Sequence, residues 1–129
     1  MTVKTMHTQL IQETQLVTVI SNAIQFQDLS LTELRELLVY SIEGNKEAQV
    51  IILKAFGRLV ANQATDYLDQ PINMKAMLQA GHQAILDSIN FMADIKSTDL
   101  NDFKAIAKGK VRIAMKAEAK GFHIVNKAA

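Results

Sequence analysis

Cysteine and tryptophan are both absent from the 129 residues. The missing thiol excludes a disulfide framework, thiolate zinc sites, iron–sulfur clusters and a cysteine nucleophile. Proline occurs once and glycine five times. An all-β sandwich needs a turn about every ten residues, so this shortage of breakers points to helices. Long hydrophobic runs are missing too, since the most apolar stretch, Val50 to Leu53, ends at Lys54, and Met1 to Gln9 holds no apolar run of signal-peptide length. The expectation is a cytoplasmic chain that neither crosses a membrane nor carries an export signal.

With 49% hydrophobic and 21% charged residues, disorder and low-complexity readings fail, and the length suits one domain, residues 1–129. The net charge of +1 hides a division. Residues 1–95 carry six basic against ten acidic side chains, and residues 96–129 carry eight against three. The body is acidic and the end is basic.

Helical periodicity begins at Thr8 to Gln27, where Leu10, Val17, Ile20 and Ile24 share a face. Ser30 and Glu33 form an S-x-x-E capping box, with Leu29 and Leu34 placed as a hydrophobic staple, so a second helix starts at Leu31 and ends before Gly44. Asn45 caps a third helix running to about Asp69, ahead of Pro71. Its polar residues occupy a strip only about 80° wide. Such an apolar helix is either the centre of a bundle or a homodimer interface, and close approach by another helix would account for Gly57 in its middle. Asn73 caps a fourth helix, Met74 to about Ile95, with Ala80, Gly81 and Ala84 as small packing residues, and Thr98 or Asp99 caps the C-terminal segment.

Residues 100–126 read in two ways. As a helix to Lys120 ended by Gly121, they set Lys104, Lys108, Arg112, Lys116 and Lys120 at steps of four, opposite Phe103, Ile106, Ala107, Ile113, Ala114 and Ala117. Lys110 then falls within the apolar side. As a strand, Lys110 to Lys120 alternates and would form a small hairpin at about 110–126. Alanine is a poor strand former and a lone hairpin is marginal, which favours the helix. The fold expected is all-α, a compact bundle of four or five helices, with an α+β arrangement carrying that hairpin as the alternative.

No catalytic or metal motif is present. The residues three before His7, His82 and His123 are Lys4, Gln79 and Lys120, so the Glu-x-x-His of carboxylate-bridged metal bundles is missing, and there is no H-E-x-x-H. Phosphate loops and nucleophile elbows are also missing. The carboxylate pairs Glu33 with Glu36 and Asp99 with Asp102 lie in first turns, where the helix dipole favours negative charge. The basic stripe stands out, because five side chains at steps of four make a long positive ridge, although aromatic residues for base stacking are not interleaved. The function expected is a small non-catalytic protein, without cofactor or metal, that binds a macromolecular partner, foremost another protein, with homodimerisation through the third helix. The alternative is a nucleic-acid-binding or regulatory protein using Lys104, Lys108, Arg112, Lys116 and Lys120.

Overall fold

A computed structural model describes residues 29–128, with side chains described through Phe122. The helix expected over Thr8 to Gln27 lies outside the described residues. Those described are all-α: α1 (Leu31–Ile42), α2 (Lys46–Ala55), α3 (Gly57–Ala64), a 3-10 turn (Thr65–Tyr67), α4 (Met74–Asp94) and α5 (Leu100–Ala128). They fall into two compact units that divide between Ala55 and Phe56.

In the first unit, α1 and α2 form a helical hairpin joined by residues 43–45. Ser30 Oγ accepts from the Glu33 amide while Glu33 Oε1 accepts from the Ser30 amide, which completes the capping box. At the other end of α1, Gly44 takes a φ of 101°. Its amide donates to the Ser41 carbonyl and the Asn45 amide to the Tyr40 carbonyl, the paired bonds of a Schellman motif. Asn45 then turns its own Oδ1 to the Ala48 amide and caps α2. One three-residue connection thus closes one helix and opens the next.

Tyr40 is buried, and its hydroxyl pKa is raised by desolvation and then by the charges of Glu36 and Glu43. A raised value in the folded state means that the neutral phenol stabilises the fold below the ordinary phenol pKa, and that this contribution is lost as pH climbs through the folded value. The stability of the chain should therefore fall more steeply above about pH 10 than that of Tyr40→Phe, as read by urea denaturation at stepped pH. Parallel pH profiles would contradict this.

The second unit is built from α3, α4 and α5. Asn73 Oδ1 accepts from the Ala76 amide and Asp99 Oδ1 from the Asp102 amide, so both long helices carry the caps read from the sequence. Lys96 closes α4 at a φ of 55°, with the Ser97 amide donating to the Met92 carbonyl. Along α4, Met77, Gly81, Ile85 and Ile89 are buried at steps of four, as are Ala84, Ser88 and Met92. Along α5, Phe103, Ala107, Val111, Met115 and Ala119 are buried at the same step. A four-residue seam drifts about 40° per step, and two helices that both present such rows interlock obliquely.

Gly81 marks the closest approach. A Cβ there would lie 2.6 Å from Val60 Cγ1 on α3 and 2.9 Å from Met115 Cε on α5. The methionine end can swing aside, but the β-branched valine has little freedom. Gly81→Ala should cost about 1–3 kcal/mol by overpacking, while Gly57→Ala, with nothing within 4 Å, should be neutral or stabilising by up to about 1 kcal/mol. Chemical denaturation of the two variants tests the pair. Equal effects would show that helix proximity does not decide either site.

Several expectations are corrected. The helix expected from Asn45 to Asp69 is interrupted at Phe56 (φ −95°, ψ 7°), where a low-propensity glycine comes next and the Phe56 ring packs edge to face on Phe103, 5.0 Å between centroids. Gly57 is not a site of close approach, and that role belongs to Gly81. Residues 110–126 form no hairpin, since α5 is helical throughout. Gly121 does not end it either, because helical backbone continues to Ala128. Along the stretch expected to form the third helix, Ile51, Ile52, Phe56 and Val60 are buried, and Val50 and Leu68 are the large apolar side chains left exposed.

Candidate binding surface

The five stripe residues, Lys104, Lys108, Arg112, Lys116 and Lys120, are all exposed on the single helix α5. Each directly succeeds a buried residue: Phe103, Ala107, Val111, Met115 and Ala119. The ridge is therefore displaced about 100° from the core seam and runs parallel to it, instead of lying opposite. With about 6 Å between successive members, it extends for roughly 24 Å. Gln63 Nε2 on α3 donates to the Lys108 carbonyl at 3.3 Å, a contact that helps hold this stretch of backbone.

Reading α5 in blocks of four from Phe103 explains the remaining faces. Residues 103–106, 107–110, 111–114 and 115–118 each begin with a core residue and place a basic one second. The third place holds Ala105, Gly109, Ile113 and Ala117, mostly exposed, and Ile113 keeps 69% of its surface. The fourth holds Ile106, Lys110, Ala114 and Glu118, all half-buried. This overturns part of the expected apolar side. Phe103 and Ala107 are in the core, whereas Ile113 and Ala117 face solvent.

Lys110, the residue that fitted no helical face, has a definite place. Its Nζ sits 4.9 Å from the centroid of the Phe91 ring on α4. A cation over an aromatic face is favourable, and the lysine stem covers apolar surface on the way. Phe91 still keeps 40% of its surface and Ile95, the residue that caps the end of α4, keeps 47%. Lys110 lies about 160° around α5 from Lys108 and Arg112, so these exposed apolar side chains sit on the side of α5 away from the ridge.

The charge of the ridge is uncompensated by its own helix. At three and four residues on either side of each member there is no Asp or Glu, and four pairs of like charge stand at i and i+4. Each such pair destabilises a helix by about 0.2–0.5 kcal/mol at low salt. The acids of the segment do other work: Asp99 caps α5, Asp102 Oδ2 accepts from Ser97 Oγ, and Glu118 lies on the fourth row.

Comparison with protein families, with curated proteins and with solved structures finds no match to this chain.

The remaining sequence candidates do not gather into a site. Among the described residues no three His, Asp or Glu side chains come together as metal ligands. His82 is half-buried on α4, beside a Gln83 whose amide donates to Asp87 Oδ1. His7 lies outside the described residues, and so does the side chain of His123. Among the described residues, no helix is long and apolar enough to cross a membrane. Sequence reasoning missed the exposure of Phe91, Ile95 and Ile113. The four-residue blocks are the signal that reveals the Ile113 row, while the exposure of Phe91 depends on how α4 and α5 pack.

Proposed function

We propose that the protein is a non-catalytic binding protein whose α5 ridge docks on the acidic surface of another protein. The observation that carries this reading is the ridge itself: Lys104, Lys108, Arg112, Lys116 and Lys120 exposed in one line, with no carboxylate at the neighbouring helical positions. A face serving only solubility does as well or better with mixed signs, which also add favourable i,i+4 pairs. Here the helix keeps four repulsive pairs. An acidic partner removes that repulsion on binding, and its charge speeds encounter and fixes orientation.

A nucleic-acid backbone is the second reading, favoured by the regular step of about 6 Å between charges over roughly 24 Å. The row beside the ridge disfavours it, since Ala105, Gly109, Ile113 and Ala117 offer nothing that stacks on a base or bonds to its edge.

The test is anisotropy of two labelled probes, a polyglutamate of about 20 residues and a random duplex of similar charge, titrated with the full chain at stepped salt. The expected result is binding to polyglutamate at about 50 mM salt that weakens as salt screens it. Binding to the duplex alone, with log K falling against log salt at about −0.9 per phosphate, would replace this reading with the second. No binding to either would remove both.

A further inference from the structure

The course of the ridge restricts what can lie on it. Each step of four residues turns it by about 40° around α5 while it climbs about 6 Å. When Arg112 faces a partner squarely, Lys108 and Lys116 stand about 40° to either side, and Lys104 and Lys120 about 80°. A rigid straight helix, a flat protein face or a bilayer therefore meets the middle of the ridge and leaves its ends aside. Yet all five side chains are exposed, and none forms an ion pair among the described residues, so an occupant that uses the whole ridge must wind with it. We infer that the ridge takes an extended acidic segment of a partner protein, wound along α5 with a carboxylate at every second residue. The inference rests on the acidic-protein reading above and adds the form of the acidic element.

Flexibility and spacing both point to such a segment. An extended chain rises about 3.3 Å per residue and sends successive side chains to opposite sides, so residues two apart face the same way about 6.6 Å from each other. That repeat is close to the step of the ridge, and the long flexible side chains take up the added arc. Without helix or sheet hydrogen bonds of its own, the segment is free to turn at each repeat. No two acidic residues stand two apart anywhere in this sequence, so a second copy of the chain cannot supply the pattern. A single-stranded nucleic acid is flexible enough to follow the same path, but Ala105, Gly109, Ile113 and Ala117 give its bases nothing to stack on.

The experiment titrates the full chain, at about 50 mM salt, with three labelled probes of similar charge. They are a peptide of about 20 residues alternating Glu and Ser, an Ala-rich peptide verified as helical by circular dichroism with as many glutamates confined to one face, and a single-stranded oligonucleotide. Lys104→Gln and Lys120→Gln, at exposed positions, should each weaken the alternating peptide about threefold, as much as Arg112→Gln does, with circular dichroism of the variants matching the parent. The helical peptide misses both ends, so the alternating one should bind about tenfold more tightly, the product of those two contacts. Equal or tighter binding of the helical peptide, or a loss at Arg112→Gln with none at the two ends, would overturn the extended segment while leaving the acidic-protein reading in place. Tighter binding of the oligonucleotide than of the alternating peptide would overturn both, as would no binding to either peptide.

Discussion

Phe103→Ala should destabilise the second unit by about 3–5 kcal/mol, one of the two largest effects expected of a single substitution in the described residues. Phe103 is fully buried near the start of α5, and its ring meets Phe56 edge to face at 84° between planes. Truncation loses the transfer energy of the ring, leaves a cavity that α4 and α5 cannot close without giving up their interlocked rows, and removes an aromatic pair of about 0.5–1.5 kcal/mol. Against a total stability of about 5–15 kcal/mol, such a loss brings the unit close to unfolding. Urea denaturation monitored by circular dichroism measures it, and a double-mutant cycle with Phe56→Ala isolates the pair. A loss below about 1 kcal/mol would mean that the site collapses freely and that Phe103 does not anchor α5.

Ala114→Pro should be comparably severe, at about 3 kcal/mol or more. Residue 114 lies midway along an uninterrupted helix of 29 residues. Proline there removes the amide that bonds back to the Lys110 carbonyl and drives its ring against that same carbonyl, on the residue whose ammonium is seated over Phe91. The kink would also separate Lys104 and Lys108 from Lys116 and Lys120, so binding to the acidic probes should fall together with stability. Ala114→Gly separates the two causes, since lost propensity alone costs about 1 kcal/mol. If proline cost no more than glycine, α5 would not be one continuous helix.

Local chemistry decides which features were legible in the sequence. The capping box at Ser30 and Glu33, the left-handed Gly44 and the caps Asn45, Asn73 and Asp99 all act within a few residues and appear where their spacing placed them. Long-range packing was not legible. Gly57 lowers helix propensity locally but does not by itself place a break at Phe56, and the Phe103 on which the Phe56 ring packs lies 47 positions further on. The two central glycines look alike as residues, yet only Gly81 meets other helices closely. The stripe was legible as a set of residues at steps of four, but its orientation was not. A row at that spacing adjoins two others, and which of them is buried depends on the seam that α4 offers. Lys110 showed the same limit from the other side, misplaced on the ideal helical face until Phe91 supplied its partner.

The central claim is that the ridge keeps repulsive charge because a partner needs it, and one double variant tests this directly. Lys108→Gln with Lys116→Gln breaks all four like-charge pairs of the ridge and leaves helix propensity nearly unchanged. Stability and polyglutamate binding are to be measured on the same preparation at low salt. The expected result is a gain of about 1 kcal/mol in stability, shrinking as salt is added, together with loss of most of the binding. A variant that loses stability, or one that binds the acidic probe as tightly as the parent, would contradict the account.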